Sequence, residues 1–167
     1  MYRTVTIAIS VLLLQLASIQ IVSAAELDVS SEFARASAGL ARNGAIFLTI
    51  KNHGKSDDTL ISASTDVSKR TELHGHSMKD GIMRMSQIKG GIPIPAGGMA
   101  QLKPGGFHIM LMGLNSPLKK GEKVAAILTF KNGSQIKVDV PILGVGAKSA
   151  MKQGNMKHHG MMKKETE

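Results

Sequence analysis

Histidine and methionine travel together in this chain. Apart from the initiator, the 11 Met fall into two stretches. Met78, Met83, Met85, Met99, Met110 and Met112 form one, and Met151, Met156, Met161 and Met162 the other. His74, His76, His108, His158 and His159 lie in or beside the same stretches, while His53 stands apart in a turn-rich segment. Methionine often fills irregular gaps in a core. That role does not account for Met in a polar tail, nor for His accompanying it. Thioether sulfur is soft and uncharged and prefers Cu(I) to hard cations. Imidazole coordinates only when neutral, above roughly pH 6.5. The chain has no Cys, which disfavours a blue-copper electron-transfer centre because that centre needs a thiolate. Zinc sites draw on Cys, His and carboxylates rather than Met. The chemistry these residues suit is therefore coordination of Cu(I).

Strand parity says which of them can meet. In Phe107-His-Ile-Met-Leu-Met112 the side chains alternate between faces. Phe107, Ile109 and Leu111 are expected to enter the core, leaving His108, Met110 and Met112 on the other face. Asp80-Gly81 between two strand-like runs is a strong hairpin signal. A two-residue loop there sets Met78 opposite Met83 and His76 opposite Met85, with His74 one step further along the same face. Geometry alone slightly favours His76 as the partner of Met85 and leaves His74 open.

The elements that position these residues read as strands. Ala45 to Ile50, Thr59 to Ser64, Arg70 to Met78, Ile82 to Ile88, Met99 to Leu102, Phe107 to Leu111, Glu122 to Phe130 and Gln135 to Val140 are short and apolar or alternating. Turn signals separate them, among them Pro95-Ala-Gly-Gly98, Lys103-Pro-Gly-Gly106 and Asn132-Gly133. Residues 26–41 are expected to give a first edge strand and a loop, and Pro141 to end the last strand. With no helical stripe, the pattern predicts an all-β antiparallel sandwich spanning residues 26–143. Residues 144–167 read as a flexible His/Met-rich tail. In it Met156, His158, His159, Met161 and Met162 offer a second metal-binding stretch, with Cu(II) suited to His158 and His159.

Residues 1–25 read as a signal peptide, with Arg3, an apolar run from Ile7 to Leu16, and small residues at Ser23, Ala24 and Ala25. No later segment is apolar enough to span a bilayer, so the protein released by cleavage is expected to have no stable membrane insertion. The net charge of +9 is spread along the chain and aromatics make up 3% of it, which argues against a nucleic-acid partner. Neither a paired-carboxylate signature nor a nucleophile motif is present, so an enzyme is not expected.

Several stretches resemble the periplasmic PCu(A)C copper chaperones. They are Glu72-Leu-His74, Asp80-Gly-Ile-Met-Arg-Met85, Ile94-Pro-Ala-Gly-Gly98, Leu102-Lys-Pro-Gly-Gly-Phe-His-Ile-Met-Leu-Met-Gly-Leu114 and Leu128-Thr-Phe130. The resemblance implies a cupredoxin-like sandwich that carries Cu(I), with His74, Met85, His108 and Met110 as ligands. His76, Met78, Met83 and Met112 then become supporting or packing residues. The loop Lys89-Gly90-Gly91 is slightly longer than the family's spacing between the second and third ligands. The implied role is delivery of copper, by a monomer, to copper-accepting proteins of cytochrome c oxidase assembly. Copper buffering or resistance without a dedicated recipient is the alternative role.

Overall fold

The computed structural model describes residues 26–150. The expected signal peptide and the His/Met cluster from Met151 to Met162 lie outside the described residues. Ten strands and no helix form among the described residues. They are β1 (Leu27–Arg35), β2 (Asn43–Asn52), β3 (Asp58–Ser64), β4 (Ser68–Lys79), β5 (Ile82–Gln87), β6 (Ile92–Ile94), β7 (Met99–Leu102), β8 (His108–Leu114), β9 (Lys123–Phe130) and β10 (Gln135–Leu143).

The strands build a sandwich. One layer runs β5-β4-β8-β2-β1, with β7 also paired to β2, and the other runs β10-β9-β3-β6. Alternation decides what fills the space between them. Ile46, Leu48 and Ile50 of β2, Leu73 of β4, and Ile109 and Leu111 of β8 are buried against Leu60, Val124, Leu128, Phe130 and Val140 of the opposite layer. Apolar burial of this kind is the main force holding such layers together.

The β4–β5 hairpin follows its turn chemistry. Asp80 and Gly81 both take positive φ, 54° and 75°, as a two-residue turn matched to strand twist requires. His76 therefore lies directly opposite Met85, and Met78 opposite Met83. All six residues of β5 are exposed, so this edge of the sheet overhangs the sandwich.

The structure differs from the sequence reading in four places. β1 is not an edge strand. It sits between β2 and β10, and its parallel contact with β10, Ala34 to Ile142 and Arg35 to Leu143, joins the layers and makes the sheet mixed. β6 is an additional three-residue strand on β3. Pro141 lies inside β10 opposite Lys123. The amide of Ile142 bonds Glu122 O, so by alternation position 141 faces away from β9, where no ladder amide is lost. Phe107 is 39% exposed rather than in the core. It precedes β8 and lies at the overhanging rim, where a Cβ on Gly75 would come 3.1 Å from its ring.

Gly91 fixes the loop from β5 to β6. Its φ is +80°, and an added Cβ would lie 2.6 Å from Leu60 O and 2.7 Å from Thr59 Cγ2. At neighbouring Gly90 nothing lies within 4 Å of the added Cβ. Gly91→Ala is expected to cost at least about 1–3 kcal/mol through backbone strain alone, whereas Gly90→Ala is expected to be near neutral. Urea unfolding of the two variants checks the contrast.

Candidate metal centre

The outer face of the β4–β8–β2 sheet carries a second, smaller packed cluster. Phe33 of β1 and Phe47 of β2 stand opposite each other, with ring centroids 5.0 Å apart. The Phe47 ring lies 6.2 Å from that of His108, and the Arg35 guanidinium sits over Phe47 at 5.4 Å. Phe33 and Phe47 alternate with core residues along their strands and point away from the main core. His108, beside Phe47, is only 4% exposed.

Three imidazoles gather there. His74 lies directly across from His108 in the β4–β8 ladder, with ring centroids 5.8 Å apart. The His76 ring, from the same strand, is 5.6 Å from that of His108. His108 Nδ1 donates to Gly106 O at 3.1 Å, and His76 Nδ1 donates to the same carbonyl at 3.2 Å. In the neutral ring this leaves Nε2 of each with its lone pair free.

His74 is held differently. Its Nε2–H donates to Glu72 Oε2 at 2.9 Å, and its Nδ1 is buried with no hydrogen-bond partner among the described residues. A carboxylate on one ring nitrogen fixes the tautomer and raises the basicity of the other, the usual arrangement behind a metal-bound histidine. The bare Nδ1 is thus the nitrogen fitted to an ion. Glu72 received no role in the sequence reading. Its position two residues before His74, on the same strand face, was the available signal.

The thioethers complete the surroundings. Met85, Met110, His76 and His108 line one open cleft of about 480 Å³, bounded also by Phe47 and Pro104. Met110 stands opposite Glu72 and Met85 opposite His76. Of the four residues expected as ligands, His108, Met110 and Met85 share this cleft, and His74 adjoins His108 from the Glu72 side. Met78 and Met83 are exposed further out on the hairpin, and Met112 receives the Arg70 guanidinium at 3.6 Å. Met99 is exposed, on β7. Among the described residues no three His, Cys, Asp or Glu side chains converge as a metal-binding group, and the thioethers of Met85 and Met110 are the further soft donors in this cleft.

Burial holds His108 below the ordinary imidazole pKa; the neighbouring His74 and His76 push the same way, against the opposing hydrogen bond to Gly106. Beyond β10 the chain folds back toward the cleft. Arg35 Nε donates to Ala147 O at 2.7 Å, and Val145 forms part of the cleft wall.

A cupredoxin-like sandwich with imidazoles and thioethers on one sheet face defines a PCuAC-type domain. The chain belongs to the LpqE-like family, described as "Putative lipoprotein LpqE-like", whose model matches residues 27–142. It is 40% identical over 98 residues to "Putative lipoprotein Lxx21020" of Leifsonia xyli subsp. xyli (strain CTCB07), a match spanning 59% of each chain. Among solved structures it resembles the apo PCuAC domain from PmoF1, with a TM-score of 0.60 and 21% identity over 71% of this chain and 94% of that one. It also resembles CuI-DR1885 from Deinococcus radiodurans, with a TM-score of 0.55 and 29% identity over 72% of this chain and 81% of that one. The resemblance read from the sequence motifs and the predicted fold are both borne out.

The depressed His108 pKa carries a sign. The unfolded chain binds a proton at His108 more readily than the folded one, so folding stability rises with pH in this range. That contribution is present above the free-imidazole pKa and is lost as pH falls through the lower folded value. The metal-free protein is expected to lose stability progressively below roughly pH 6.5, and His108→Gln should flatten this component. Thermal unfolding from pH 8 to pH 5 measures it.

Proposed function

We propose that this protein is an exported carrier of Cu(I), binding it through His74, Met85, His108 and Met110 and handing it to copper-accepting proteins of cytochrome c oxidase assembly. The observation that carries the reading is the outer sheet face, where His108, Met85 and Met110 line one cleft and His74, its Nδ1 bare, adjoins His108. Two neutral nitrogens and two neutral sulfurs suit a soft monovalent ion. The likeness to CuI-DR1885, whose name states Cu(I), supports it.

The site's position suits transfer. Met85 is 49% exposed on an edge strand, so an acceptor's ligands can approach while Met85 leaves. No catalytic step is part of this role, and the carrier acts as a monomer. Residues 1–25 direct export, to the periplasm in a cell with an outer membrane. The family and its Leifsonia relative carry the name lipoprotein. Within these 167 residues there is no Cys, so a lipid attached through cysteine has no anchoring point in them.

His108→Ala combined with Met110→Ala is expected to abolish stoichiometric Cu(I) binding, read by competition with a chromophoric Cu(I) chelator. Circular dichroism confirms that the variant is folded. Retained tight binding in the folded variant overturns the ligand assignment. A deletion strain is expected to lose oxidase activity at low copper. Normal oxidase activity with loss of growth at high copper would instead identify the role as buffering.

A further inference from the structure

We propose that Met78 and Met83 form a second Cu(I) site, a two-thioether station at the outer end of the β4–β5 hairpin, one rung beyond Met85. The inference rests on the Cu(I) reading above and adds a site outside the residues proposed there.

Register carries the first part. Met78 and Met83 are direct cross-strand partners, and Lys79 and Ile82 are the pair that flanks the turn. Residues flanking a two-residue turn form a hydrogen-bonded pair. By alternation the Met78–Met83 rung is then a non-hydrogen-bonded one, the kind in which facing side chains stand closer. Such partners leave one face with Cβ atoms about 4.5–5.5 Å apart. Methionine is unbranched with three rotatable bonds, so two thioethers at that spacing can bring both sulfurs to one ion.

Exposure carries the second part. Met78 is 66% exposed and Met83 62%. Neither fills a gap in a core, the ordinary use of methionine, and both side chains are open to an arriving ion.

Position carries the third part. The next rung inward on the same face is His76–Met85. Met83 and Met85 are two residues apart on β5, about 6.5–7 Å along the strand, a separation that long side chains span. Arg84 and Ser77 form the rung between and by alternation point to the opposite face, so the Arg84 cation does not oppose an ion at the thioethers. An ion leaving Met85 thus meets two further sulfurs before the hairpin ends. Two neutral sulfurs select Cu(I) over hard cations. With fewer donors than the site proposed around His108, the station binds more weakly and fills after it.

The test uses the full chain, isotope-labelled at the methionine methyl groups. It is titrated anaerobically with Cu(I) supplied as its acetonitrile complex and followed by methyl correlation NMR spectra. The first additions are expected to shift the Met85 and Met110 methyls. Further Cu(I) is expected to shift Met78 and Met83 together, on one binding curve. Met99, also exposed but with Lys51 opposite it, is the control and stays in place. Leucine keeps the apolar bulk and removes the sulfur, so Met78→Leu is expected to abolish the Met83 shift, and Met83→Leu the Met78 shift. Stationary Met78 and Met83 methyls at excess Cu(I) overturn the proposal. So does a Met83 shift that survives Met78→Leu in a folded protein, or an equal response from Met99. Met85 and Met110 methyls that fail to respond overturn the ligand assignment of the carrier site instead, a separate result that leaves the Met78–Met83 readout intact.

Discussion

His108 is an imidazole with almost no exposure, placed on β8 between Phe47 and two further histidines. A buried polar ring must have somewhere to put its N–H, and among the described residues it goes to Gly106 O. That bond settles the tautomer, and burial keeps the ring neutral. With Nδ1 used and charge disfavoured, Nε2 remains as a lone pair in a low-dielectric setting. The surrounding parts depend on this arrangement. The Lys103-Pro-Gly-Gly106 turn presents the carbonyl, Phe47, backed by Phe33, shields the ring, and β4 brings His74 and His76 beside it.

The same face shows how one sheet can have two interiors. Toward the second layer it offers Ile46, Leu48, Ile109 and Leu111, which bind the sandwich together. On the other side it carries Phe33, Phe47 and His108, packed into a small apolar patch and roofed in part by Arg35. The patch is large enough to desolvate one histidine but leaves Met85 at the surface. In the proposed carrier, an ion there would meet a firm, dry donor on one side and a labile one on the other.

Much of this was legible in the residue pattern because it is local. The alternation in Phe107 to Met112 separated core from outer face, and Asp80-Gly81 set the register that joins His76 to Met85. What was not legible depends on contacts distant in sequence. β1 reads as a polar-leaning first strand and therefore as an edge, yet its pairing with β10 across the whole chain makes it the seam of the sandwich. Phe107 has the parity of a core residue, but the second layer ends before reaching it, and Gly75 takes its ring instead. The choice between His74 and His76 could not come from parity, since residues two apart share a face. The structure separates their environments, with Glu72 behind one and Met85 opposite the other.

β5 is bonded to a single neighbour and buries none of its six residues. Segments with few buried contacts and solvent-exposed ladders open at a fraction of the free energy of global unfolding. The outer hairpin can thus fray while the sandwich stays intact, carrying Met85 with it and leaving His108 in place. For the proposed Cu(I) carrier, the breathing of this one edge strand sets how long Met85 holds the ion, so amide exchange along Ile82–Gln87 becomes a clock for the cargo's residence.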